Sequence, residues 1–167
     1  MLLTLTLLAC APLQPNVQID FLGETPLEVD TIANDTDGDG MVSGYVAEEM
    51  TVALRIIGNP NVDVETIQPS VDFQSYALSY QLLNAEAAAP EMPAYENGVT
   101  IHLESGESGE YPIRATSFVQ KDWAHSQFDG AARNYTASLT LNGQSSDGVT
   151  VKLDVDFDII FADFAEP

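Results

Sequence analysis

The chain has 167 residues, 45% hydrophobic and 19% charged, with a single cysteine. That length suits one domain, which buries roughly two-thirds of its unfolded surface without disulfide or metal staples. Five Lys and Arg stand against 26 Asp and Glu, a formal net charge of -21. No basic patch for nucleic acid can be built from so few cations, and an anionic membrane surface would repel the chain. Water, divalent cations, neutral sugars and basic protein surfaces are the compatible partners.

The first element is apolar. Leu2 to Ala9 contains only apolar residues and Thr, but nine residues of helix span about 14 Å, roughly half a bilayer core, so the run is not a transmembrane helix. It reads as the hydrophobic region of a secretory signal followed by a small residue at a cleavage point. Leu7-Leu8-Ala9-Cys10 resembles the lipobox of bacterial lipoproteins. The resemblance implies cleavage after Ala9 and acylation of Cys10 at its sulfur and new amino group. Ala11 in place of Asp after the cysteine resembles the outer-membrane class. The alternative is a buried first strand that carries a cysteine, since Leu3, Leu5 and Leu7 alternate with Thr4 and Thr6. On the lipoprotein reading, residues 1–9 are signal, 10–16 a lipidated tether of about 15–20 Å stiffened by Pro12 and Pro15, and 17–167 a single domain. Several acyl chains together make a stable anchor.

From Val17 the dominant period is two, the signature of strands with one face on a core. Weak runs at 17–21 and 26–32 are followed by stronger ones at 51–57, 73–83, 99–104 and 111–119. Tyr76, Leu78, Tyr80 and Leu82 share one face. Tyr135, Ala137, Leu139 and Leu141 then alternate with polar residues, as do Val149, Val151, Leu153, Val155, Phe157 and Ile159. The intervening NGQSSDG carries Asn-Gly and Asp-Gly turn signals, so these last two runs read as a hairpin. Helix is nearly absent from the pattern, with short turns at 85–89 and 121–127 at most. The expected fold is all-β, an antiparallel two-sheet sandwich of about seven or eight strands.

The strand YALSY after the loop GNPNV, and the final run VDFDIIFADF, resemble a group of bacterial lipoproteins with an Ig-like β-sandwich body. The similarity extends diffusely over the last 120 residues or so. It implies fold and location, and carries no activity.

The sharpest local motif is Asn-Asp-Thr-Asp-Gly-Asp-Gly at positions 34–40. Asp35, Asp37 and Asp39 at alternate positions, with Gly40 for the bend and the Met41 carbonyl beyond, match the opening of a calcium loop. A cation would convert their mutual repulsion into attraction. Val46 stands where the closing carboxylate belongs, and Glu48 and Glu49 could close a longer loop. The alternative is a solvated acidic turn. Trp123 lies among polar residues and could stack on a sugar ring or anchor the edge of the core. His102 alternates with Ile101 and Leu103 and should face solvent, while His125 has no second ligand at zinc spacing. No nucleophile elbow, P-loop or dinucleotide motif is present, and the carboxylates are too numerous for any pair to stand out. The expectation is a non-catalytic, lipid-anchored envelope protein with a structural or protein-interaction role. Its alternative is a calcium-stabilised adhesive or carbohydrate-binding module.

Overall fold

Alternating apolar residues give eight strands among the residues that the computed structural model describes, which are 15–31, 47–57, 69–83, 90–128 and 131–164. They are β1 (Asn16–Leu22), β2 (Leu27–Asp30), β3 (Glu49–Ile57), β4 (Val71–Leu82), β5 (Tyr95–Leu103), β6 (Ser108–Arg114), β7 (Arg133–Ser145) and β8 (Thr150–Ala162). One helix, α1 (Phe118–Phe128), separates β6 from β7. Sheet A runs β1-β3-β6, and sheet B runs β2-β8-β7-β4-β5, curled into a half-barrel. The all-β expectation is met.

The two 13-residue strands β7 and β8 form the spine of sheet B. Tyr135, Ala137, Leu139, Leu141, Phe157 and Ile159 turn inward and are buried. Each large one of these contributes about 1.5–3 kcal/mol by leaving water. On the outer face Thr136 stands opposite Asp158, Ser138 opposite Asp156 and Thr140 opposite Asp154. These three carboxylates therefore face water, and Thr140 holds Asp154 at 2.5 Å. Phe21 of β1 stacks on Phe157 of β8 at 5.0 Å, joining the two sheets through their shared core.

Both sheets have the same two ends. At one, Pro15 to Val17 packs against Val149 to Leu153 beside the β7–β8 turn; this is the proximal end. At the other, Glu48 accepts the Ala115 N–H at 2.7 Å, and the Tyr80 hydroxyl donates to the Ala115 carbonyl at 2.6 Å. Tyr76 donates likewise to Arg114 at 3.0 Å. This distal end is closed by α1, which crosses from the end of β6 in sheet A to the start of β7 in sheet B.

Three local expectations are corrected. The run at 111–119 is not one strand: β6 stops at Arg114 and α1 begins at Phe118. The cause is a capping box, Ser-x-x-Gln. Ser117 Oγ accepts the Val119 N–H at 3.2 Å, and Gln120 Oε1 accepts both the Ser117 N–H at 3.0 Å and its hydroxyl at 2.6 Å. Secondly, Asn142-Gly143 is not part of the hairpin turn. Strand β7 runs through it, and the chain reverses after Ser145, where Gly148 takes a φ of +80° that suits glycine. Gly143 instead lies opposite Phe73 of β4, where any side chain would run into the Asp72 carbonyl and the Phe73 ring. Finally, the pairing is not wholly antiparallel, because β2 lies parallel to β8. The turn expected at 85–89 falls outside the described residues.

Candidate functional site

Cys10, Asp35, Asp37, Asp39 and Met41 lie outside the described residues. The two carboxylates expected to close a calcium loop are described and are separated in role. Glu48 sits 3.0 Å from the Lys121 ammonium, while Glu49 is exposed at the start of β3, in register with Arg114. Among the described residues, no three His, Cys, Asp or Glu side chains form a metal-holding group, and no helix is long and apolar enough to cross a membrane.

Trp123 is half-buried on α1, packed at the margin of the core and edge-on to Phe128 at 5.7 Å. The Arg133 guanidinium covers the Phe128 ring at 4.8 Å from its centroid. His125 is exposed in the last turn of the same helix. His102 faces solvent on β5, as its alternation requires. Its Nδ1 lies 2.6 Å from Asp72 and its Nε2 3.0 Å from Glu104. Those hydrogen bonds, from Glu104 first and then Asp72, raise its pKa to about 9. The two carboxylates approach opposite ring nitrogens, so the trio does not converge on one point.

The distal end inverts the ordinary rule of burial. On α1, Gln120 and Lys121 are each 1% exposed, whereas Phe118 is 64% and Val119 43% exposed. The Lys121 ammonium is satisfied by Glu48, and the Gln120 amide donates to the Pro93 and Ala94 carbonyls at 3.1 and 3.3 Å. Leu83 follows the end of β4 and is exposed, and Leu22 at the end of β1 is exposed too. All four exposed large hydrophobic residues among those described thus belong to this end.

Beside α1, a cavity of about 710 Å³ opens between residues 79–82 of β4 and residues 90–94, with Tyr135 also lining it. Its volume falls in the range of ligand sites. Tyr135 is wholly buried, and among the described residues its hydroxyl finds no hydrogen-bond partner. An orphaned buried hydroxyl costs about 1–3 kcal/mol. Burial pushes its pKa up to about 12, with the Arg133 charge opposing. Nothing in the sequence pattern marked this cavity. Tyr135 reads as an ordinary member of an alternating strand. The Ser-x-x-Gln box was the signal that could have placed α1 and, through Gln120, the wall it holds.

Compared with known family models and with curated proteins, the chain matches none.

Proposed function

We propose that the chain is a non-catalytic, lipid-anchored protein of the bacterial envelope, held at the outer membrane through Cys10, with an Ig-like sandwich body that serves a protein-interaction role. The observation that carries this reading is the polarity of the domain. Only residues 11–15 separate Cys10 from β1, which starts at the proximal end. The exposed apolar residues Leu22, Leu83, Phe118 and Val119 gather at the other end. Strands of 13 residues at about 3.3 Å each separate the two ends by about 40 Å. An anchor at Cys10 would hold the domain close to its membrane with the apolar end outward, where such residues mark contact surfaces. The test is fractionation. The protein should label with fatty acid and sediment with membranes, and Cys10→Ser should move to the soluble fraction. Recovery of that variant with membranes overturns the anchor.

A second reading, a calcium-stabilised adhesive or carbohydrate-binding module, rests on the spacing of Asp35, Asp37 and Asp39. Thr31, before that stretch, donates its N–H to Ala162 at the distal end, and Glu48, after it, is held by Lys121. The closing carboxylate would then fall to Glu49. Calcium binding to the folded state should raise Tm, and Asp37→Ala should abolish the rise. Coincident melting curves in calcium and in chelator remove this reading.

A further inference from the structure

Strand β4 breaks register with both of its neighbours at the same level. Between Phe73 and Ser75 it inserts one residue, Gln74, against none of β7, which steps directly from Gly143 to Asn142. Over the same step β5 inserts two, Val99 and Thr100, between Ile101 and Gly98. Every other ladder among the described strands runs in continuous register. Bulges raise the local twist, re-aim side chains and gather beside functional sites. Gly143 permits the approach of β4 and β7 there, since any Cβ would meet the Asp72 carbonyl and the Phe73 ring.

Beside the paired bulges lies a hollow of about 340 Å³, lined by Ser75, Tyr76, Ala77, Glu96, Asn97 and Asn142. Its volume is within the range of ligand sites. Ala77 stands between the buried Tyr76 and Leu78, and Asn142 follows the buried Leu141, so both side chains point outward. Across the ladders Glu96 stands opposite Ala77, and Asn142 opposite Ser75. All of these residues belong to described strands, and Ala77 lies about 20 Å along β4 from Leu83. A hydroxyl, a carboxylate and an amide thus line one hollow. Among the described residues no hydrogen bond or ion pair occupies the side chains of Ser75, Glu96 or Asn142.

The wall of the hollow is braced. Asn97 Nδ2 donates to the hydroxyls of Tyr95 at 3.1 Å and Tyr76 at 3.4 Å, and its Oδ1 accepts the Gly98 N–H at 2.9 Å. Tyr76 donates in turn to the Arg114 carbonyl, across to sheet A. The strands that carry the polar groups are therefore fixed before a ligand arrives, which lowers the ordering cost of binding.

We propose that this hollow on the outer face of sheet B binds a neutral saccharide, with Ser75, Glu96 and Asn142 bonding its hydroxyls and Ala77 facing its C–H surface. The lining selects that class. A sugar hydroxyl both donates and accepts, which answers a carboxylate, an amide and a hydroxyl together. An ammonium group only donates, and leaves the Asn142 N–H groups unanswered. An anion would meet Glu96 and the outward row Asp154, Asp156 and Asp158, in a chain of net charge -21. This assignment rests on the carbohydrate-binding reading above and moves its site from Trp123, which packs against Phe128, to sheet B.

The test uses the full chain in detergent, an array of neutral and anionic glycans, and lysine-rich peptides. Neutral glycans should bind and anionic ones should not. Titrating a bound neutral sugar into isotope-labelled protein should move the amide resonances of residues 75–77, 96–98 and 142, and leave those of α1 in place. Asn142→Ala should weaken binding about tenfold or more, by removing hydrogen bonds. Ala77→Leu, which fills the hollow from the outer face, should abolish binding with Tm unchanged. If Ala77→Leu lowers Tm, Asn142→Ala decides alone, because it only shortens an exposed side chain. Glycan binding that survives both variants and is lost in Trp123→Ala rejects the hollow and leaves the carbohydrate reading standing. Absence of glycan binding across the array overturns the hollow and that reading together, as does binding of lysine-rich peptides alone.

Discussion

The β7–β8 ribbon and the distal end obey opposite rules. Through residues 135–141 and 151–159 of the ribbon every second side chain is apolar and turned inward, and the polar ones face outward, so composition and position agree. At the distal end α1 buries a lysine and a glutamine and leaves a phenylalanine and a valine in solvent. The ribbon is held by area removed from water, which tolerates no competing use of its inner face. The distal end is held by a few directed polar contacts, Glu48 with Lys121 and Gln120 with Ser117, Pro93 and Ala94. Anchoring the helix by polar groups frees its apolar residues for another surface. A sequence that departs from local consistency at a particular place points to function at that place.

The largest expected effect breaks the polar half of this contrast. Glu48→Ala leaves the Lys121 ammonium buried without its partner and should cost about 3 kcal/mol. Lys121→Met, which removes the charge and keeps the bulk, should be close to neutral. Urea denaturation of both variants and of the pair would decide, since the double variant should recover most of the loss. Equal, small losses in the two single variants would show that ordinary packing holds the helix.

The ribbon has its own weak point at Gly143. Gly143→Val places a side chain against the Asp72 carbonyl and the Phe73 ring and should destabilise by about 2 kcal/mol, the scale of overpacking. Gly98→Ala is the control, because its Cβ would meet only the Gln74 carbonyl, at 3.9 Å. Comparable losses at both positions would mean that Gly143 is retained for chain flexibility and not for close approach. A smaller effect, about 1 kcal/mol, is expected for Ser117→Ala, which deletes the cap of α1. Hydrogen exchange should rise in α1 and stay unchanged in β7 and β8. Uniform loss of protection would show that the two regions open as one unit.

What could be read from the sequence follows the same division. Period-two alternation located each of the eight strands, and it succeeded because burial dictates it residue by residue. It failed at Ala115 and beyond, where the buried pair Ala115 and Thr116 leads into Gln120 and Lys121 and no apolar stripe marks the helix. There the capping box was the informative signal, and it was overlain by the apolar Phe118 and Val119, which look like the end of a strand. The Asn142-Gly143 turn signal misled because glycine serves close approach as well as reversal. The cavity was invisible in principle. It lies between residues 79–82 of β4 and residues 90–94, a juxtaposition set by chain pairing and not by pattern. Cys10 and the aspartates at 35, 37 and 39 are legible only as motifs.

The smallest expected effect lies at the proximal end and sharpens the contrast by showing what exposed charge contributes there. His102 sits beside the start of β4, exposed to solvent, between Asp72 and Glu104. Its folded pKa of about 9 lies above the ordinary 6.5, because both carboxylates bond the charged ring. A raised pKa means that the folded state holds the proton more tightly. The resulting stability is fully present below pH 6.5 and disappears as pH rises through 9. The difference between wild type and His102→Asn in urea midpoint should therefore shrink over that window. It should shrink further in high salt, since exposed pairs are screened within about 10 Å. A midpoint difference that is flat in both pH and salt would mean that the ring is held by packing alone. The same measurement on Glu48→Ala should show little dependence on salt, because Lys121 is 1% exposed and its partner's charge reaches it through protein. Proximal charges that respond to salt and a distal pair that does not would establish that the two ends differ in how they are held.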